Sequence, residues 1–227
     1  VAMNRSAVEA KVDHIAKMGA ELGEFYSALW QELAWIHEKW GEYVALFGTN
    51  PDRIDLLNDA APKFFRTIQD TLWDDVLLHL ARLTDSPRSM GKDNLSVRRL
   101  PDLSLLSSTA LPIGALVASA VAATEFARDW RNRKLAHRDL SLALGQPVQP
   151  LAPASRQAVK DALSALVAIL NALSAEYLDS TTMFESDDAD AMALLYLLRD
   201  GLRHESERRE RIKTQQFRPE DLRPDPL

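Results

Sequence analysis

The sequence predicts an all-α protein, a helical bundle with additional helices, and three observations carry that reading. Glycine occurs only eight times. Ala, Leu, Glu and Arg abound, and apolar residues recur every three or four positions along most of the chain. No stretch shows the period-two alternation of a half-buried strand.

Taken in order, the first element starts at Ser6. Val8, Val12, Ile15, Met18 and Leu22, continued by Tyr26, Leu29, Leu33, Ile36, Trp40 and Val44, mark one long helix or two joined near Gly19 and Gly23. Gly48-Thr49-Asn50-Pro51 stops it, because Gly suits a helix C-terminus and Pro the first turn of the next helix. A short helix over 52–59 follows. Beyond Pro62, the series Phe65, Ile68, Leu72, Val76, Leu80, Leu83 predicts an amphipathic helix ending near Asp85.

Residues 86–94, with Pro87 and Gly91, read as a mobile loop, followed by a short helix over 95–100 and a broken segment after Pro101. Pro112 starts another helix whose buried stripe is Ile113, Leu116, Ala120, Ala123, Ala127 and Trp130. Pro147, Pro150 and Pro153 make an extended linker, since each proline disfavours helix at the residue before it. A helix over 154–178 buries Val159, Leu163, Leu166, Leu170, Leu173 and Tyr177, and Asp187 or Asp188 caps a last helix through Met192, Leu195, Leu198 and Leu202. From Glu205 the chain is charged on all sides, and Pro219, Pro224 and Pro226 point to disorder at the end. The expected organisation is one domain over 1–204 and a flexible tail over 205–227.

With 46% hydrophobic and 26% charged residues, the chain can bury a sizeable core without disulfides or metal. It contains no cysteine, which excludes thiol catalysis, thiolate zinc sites and iron–sulfur clusters. No apolar run reaches the roughly 18 residues of a membrane helix, and no signal-peptide pattern opens the chain, so the expected location is the cytoplasm. A formal net charge of -6 repels nucleic acid from the molecule as a whole. Any RNA binding must therefore come from a local patch.

Such a patch exists. Residues 128–139 hold five Arg or Lys (Arg128, Arg131, Arg133, Lys134, Arg138) against Asp129 and Asp139, and include His137. A purely structural role is available, because cations near a helix C-terminus gain about 0.3 to 1 kcal/mol each from its carbonyls. A chemical role is also available. Histidine titrates near neutral pH and serves as acid or base, while the guanidinium fork matches phosphate oxygens.

The string Arg131-Asn-Arg-Lys-Leu-Ala-His-Arg-Asp139 resembles the signature of HEPN domains, an Arg, a polar residue and a His further on. It is most similar to the HEPN family related to the AbiU2 abortive-infection protein. Further matching features are the run from Trp73 to Asp85, Asn94-Leu95-Ser96, and Asp190-Ala191 through Leu198-Arg199-Asp200-Gly201, so the likeness spans residues 25–205.

This resemblance implies a helical bundle that dimerises with two motifs facing each other, and a metal-independent endoribonuclease of toxin or phage-defence type. It implies Arg131, Asn132 and His137 as catalytic residues, with Arg128, Arg133, Lys134 and Arg138 holding RNA. No cofactor is implied. The partners are RNA, a second copy and a candidate cognate antitoxin, with no membrane. Attack by the RNA 2′-hydroxyl predicts products with a 2′,3′-cyclic phosphate and a 5′-hydroxyl. The alternative is a catalytically inactive scaffold whose patch holds RNA, nucleotide or a protein.

Helix geometry leaves one choice open. Six residues of regular helix turn the chain by roughly 600°, placing Arg131 about 120° from His137. Arg133 shares the His137 face at i and i+4. Either arginine is thus a candidate phosphate ligand, and unwinding near Ala136 favours Arg131.

Other side chains carry weaker signals. Asp75 and His79 have a spacing that suits two metal ligands, but no second pair accompanies them, and a hydrogen-bonded structural histidine is the expectation. Arg82 and Asp85 suit a local ion pair or a contact to the basic motif. His14, His37 and His204 read as surface residues. Trp30, Trp35, Trp40, Trp73 and Trp130 fall in helical patterns that suit core or dimer interface.

Overall fold

The computed structural model describes residues 6–104, 113–137, 139–184 and 188–222. Its helices are α1 Ala7–Met18, α2 Ala20–Phe47, α3 Pro51–Ala60, α4 Pro62–Leu83, α5 Leu100–Leu103, α6 Ile113–Ala123, α7 Glu125–Trp130, α8 Leu140–Ala143, α9 Arg156–Leu178, α10 Ala189–Lys213 and α11 Pro219–Leu222. A π-helical turn, Arg131–Leu135, follows α7. The protein is all-α, apart from a small antiparallel hairpin of β1 Arg88–Ser89 and β2 Lys92–Asp93 in which Arg88 faces Asp93 and Ser89 faces Lys92.

Local chemistry explains the boundaries. Ser6 and Glu9 cap α1 reciprocally, the Ser6 hydroxyl accepting from the Glu9 N–H and the Glu9 carboxylate from the Ser6 N–H. Gly19, at φ 86°, separates α1 from α2. Gly23 serves another purpose: a Cβ there would stand 2.6 Å from the His14 carbonyl oxygen, so α1 packs on α2 only because that atom is missing. Asn50 caps α3 ahead of Pro51, and Ser155 caps α9.

Two compact units divide the chain, Val1–Lys39 with Trp73–Glu185 and Trp40–Leu72 with Ser186–Leu227. The divisions fall within α2 and α4. In the first unit, α6 packs along α9, and α1 also touches α9. Tyr26, Leu29, Leu33 and Ile36 of α2, Val76, Leu77 and Leu80 of α4, and Val159, Leu163, Leu166, Ile169, Leu170 and Leu173 of α9 are buried there. By length and mean hydropathy of 1.5, α9 would suit a membrane, but this buried face belongs to the core.

In the second unit, α10 packs on α3, and Ala45, Leu46, Leu57, Phe65, Ala191 and Leu195 form its buried cluster. The charged run from Glu205 does not leave the fold: α10 continues to Lys213. Asp221 of α11 is buried, accepts from Arg211 Nη2 at 2.6 Å, and is approached through its carbonyl by Arg208 Nε at 2.7 Å. These contacts lie across a turn, which charge pattern alone does not show.

Other expectations shift in detail. The helix expected from Pro112, a residue outside those described, stops at Ala123 and resumes at Glu125. Its buried stripe is Ile113, Val117, Ala120, Thr124 and Ala127, with Val117 in the place expected of Leu116. Where a broken segment was expected after Pro101, α5 runs through Pro101 to Leu103; residues 105–112 and the Asp187 cap lie outside the described residues. At Asp188 no side-chain cap forms.

Candidate active site

The basic segment is anchored to the end of α4. Buried Thr84 and Thr124 meet hydroxyl to hydroxyl at 2.7 Å. Arg128 Nη2 donates to the Thr84 carbonyl at 3.1 Å and to its hydroxyl at 3.0 Å, while its Nη1 pairs with Glu125. One residue beyond Thr84, Asp85 accepts from Arg131 Nη1 and stands 3.8 Å from Arg128 Nε. Asp85 therefore serves the basic motif. Among the described ion pairs it has none with Arg82, whose charge lies beside His79.

After Trp130 the helix widens: the Ala136 N–H donates to the Arg131 carbonyl at 2.8 Å, five residues back, and the Asp139 N–H reaches the Arg133 carbonyl. Such π turns are rare and frequently sit at functional sites. Here the turn ends the regular rotation before His137. Arg131, Asn132 and His137 consequently line one cavity of about 420 Å3, with Asp85, Ser86, Ser89 and Asn94 on its other sides.

Within the cavity Arg131 is held on both edges, by Asp85 and by Asn132 Oδ1, which accepts from Arg131 Nε at 3.0 Å and Nη2 at 2.9 Å. Asn132 thus orients Arg131 and makes no hydrogen bond to His137 among the described residues. His137 itself is exposed.

The remaining cations lie elsewhere. Arg133 donates to the carbonyls of Pro150, at 3.2 Å, and Gln149, and pairs with Asp129. Asp129 Oδ2 accepts from the Ala152 N–H at 2.8 Å, and the Trp130 indole N–H donates to the Ala152 carbonyl at 2.8 Å. Asp129, Trp130 and Arg133 therefore fasten the proline linker to the back of the motif, and Arg133 is absent from the cavity lining. Lys134 lies 4.5 Å from the Trp130 ring centroid and 3.5 Å from Asp74. Arg138 is outside the described residues.

Sequence reasoning missed Ser86, Ser89 and Asn94 as site residues. They belong to the segment expected to be a mobile loop. Instead Met90 (φ 50°) and Gly91 (φ 79°) turn a hairpin closed by the Asn94 N–H to Pro87 and the Asn94 amide to Ser86, both at 2.8 Å, and the Ser96 hydroxyl donates to the Asp85 carbonyl. The available signal was Gly91 alone, since a methionine at positive φ is not a residue that marks a hairpin turn.

His14, His37 and His79 are structural. His37 stacks on Phe184 at 5.2 Å, its Nε2 buried without a partner, and burial lowers its pKa to about 4. His14 meets Tyr26 edge-on at 4.9 Å, with Nδ1 buried. These contacts overturn the surface expectation for both, which isolated positions in sequence could not foresee, whereas His204 is exposed. His79 is buried, its Nδ1 unpartnered and its pKa lowered first by burial. Lys39 takes the Asp75 carboxylate at 2.6 Å, and among the described residues no cluster of acidic or histidine side chains could hold a metal ion. Of the tryptophans, Trp35 remains 52% exposed beneath Lys39, so it is not core.

The all-α scaffold thus brings Arg131 and Asn132 of the π turn and His137 just past it onto one cavity. Residues 19–194 match the HEPN_AbiU2 family, described as AbiU2, and the chain belongs to that family. No curated protein and no solved structure matches it.

Proposed function

We propose that the protein is a cytoplasmic, metal-independent endoribonuclease of the toxin or phage-defence type, acting as a homodimer on RNA. The observation that carries this reading is the convergence of Arg131, Asn132 and exposed His137 on one cavity. His137 is the side chain there that can both take up and give a proton, whereas the arginines only donate.

Transfer within RNA requires a base to take the 2′-hydroxyl proton, attack of that oxygen on the adjacent phosphorus, and a proton delivered to the departing 5′-oxygen. One His137 takes the proton and His137 from a second copy of the chain gives one, leaving a 2′,3′-cyclic phosphate and a 5′-hydroxyl. Arg131, aimed by Asp85 and Asn132, donates to the phosphorane oxygens as charge builds there. Membership of the AbiU2 family supports this role, and a cognate antitoxin would act by covering the cavity.

The test is RNA cleavage by wild type and His137→Ala, with end groups identified and magnesium replaced by EDTA. His137 is exposed, so the variant keeps its fold and loses about 10² to 10⁴ in rate. Equal cleavage by both folded proteins would contradict the assignment. Light scattering at micromolar concentration should give twice the chain mass.

A further inference from the structure

Beside the His137 cavity lies a second one, about 300 Å3, lined by Glu32 of α2, Arg82 and Leu83 of α4, then Asp85, Asn94 and Leu95. Asp85 and Asn94 line both cavities and form a shared wall. Its volume is at the lower end of ligand sites, which suits one planar group. Two leucines supply apolar surface, and the polar groups differ from those of the first cavity. Neither Glu32 nor Arg82 has a hydrogen bond or ion pair among the described contacts, although both charges reach His79. A carboxylate and a guanidinium thus line one small cavity, neither engaged by a hydrogen bond or ion pair among the described contacts.

We infer that this cavity is a nucleobase subsite that selects guanine next to the cleaved position. The inference rests on the ribonuclease reading of the adjoining cavity. Guanine offers two neighbouring N–H groups, N1 and N2, that a single carboxylate accepts together, and an O6 that a guanidinium reaches. Adenine and uracil present no such adjacent pair, and cytosine offers only its N4 amino group to Glu32. Leu83 and Leu95 cover the base, and the shared wall carries the strand from one cavity to the next. Unstacked bases of single-stranded RNA are commonly read in this way, along the Watson–Crick edge.

The experiment measures binding of 2′-O-methyl oligoribonucleotides, which lack the attacking hydroxyl and stay intact. A single guanine, adenine or cytosine replaces one position of an oligouridine, and hypoxanthine replaces guanine to remove the N2 amino group. Fluorescence anisotropy with wild type should show the guanine strand about tenfold tighter than the others, with hypoxanthine losing most of that advantage. Glu32→Gln should abolish the preference and Arg82→Ala reduce it. Equal affinity for all strands, or a guanine preference that both folded variants retain, overturns the inference. Should a variant fail to fold, the hypoxanthine comparison on wild type decides. Guanine-selective binding by a protein that cuts no natural RNA would keep the subsite and remove the ribonuclease. Cleavage without base preference would do the reverse.

Discussion

The Arg131 guanidinium and the Asp85 carboxylate, 46 positions apart in sequence, form a direct ion pair at the wall of the His137 cavity. Both side chains are largely shielded, at 22% and 24% exposure, so the pair is worth more than a surface bridge. Asp85→Asn should therefore leave Arg128 and Arg131 facing each other with less compensation. A stability loss of about 1 to 2 kcal/mol is expected, read as a lower denaturation midpoint, together with at least tenfold slower RNA cleavage because Arg131 is no longer aimed. Unchanged cleavage in a folded variant would show that Asp85 has no positioning role.

Arg131 and Arg133 should separate cleanly. Arg133→Ala removes the donor to Pro150 and Gln149 carbonyls, so limited proteolysis should open the linker over 147–153 first, with cleavage of RNA affected less than by Arg131→Ala. Arg131→Ala should protect the linker as wild type does and act on turnover. The opposite pattern would identify Arg133 as the phosphate ligand.

Gly23→Val should destabilise the first unit. A side chain there meets backbone, the His14 carbonyl oxygen at 2.6 Å and Ile15 Cα at 2.6 Å, which cannot rotate away. Overpacking of this kind costs about 1 to 3 kcal/mol. Gly114→Ala, at a helical glycine with open space around it, is the control and should be neutral or slightly stabilising. Similar thermal midpoints for the two variants would contradict the close approach.

Stability should fall on acidification, in part through His37. Its pKa in the folded protein is about 4, lowered by burial from the ordinary 6.5. Between those values the unfolded chain binds the proton and the folded one does not. The contribution is thus fully present above about pH 6.5 and is lost as pH falls toward 4. His37→Phe keeps a ring against Phe184 and removes the titration, so its thermal midpoint should change less between pH 7 and pH 5 than that of wild type. His14 and His79, also lowered by burial, retain the remaining slope.

Much of the fold was legible because amphipathic period and capping are local. Ser6 with Glu9, Asn50 with Pro51 and the Val159 to Leu173 series each specify a helix from residues within a turn or two of one another. The motif Arg131 to His137 was likewise legible, since its residue types and spacing are chemical facts of the chain. What sequence could not decide was which arginine faces the histidine. A regular helix favours Arg133, and it took the π turn, with Asp85 pulling on Arg131 and the linker carbonyls holding Arg133, to put Arg131 on the cavity. These partners are 46 and 17 positions away, and such contacts exist only once the chain has folded. The same reason separates Glu32 from Arg82 in sequence, while the tertiary fold sets both on one small cavity beside the motif.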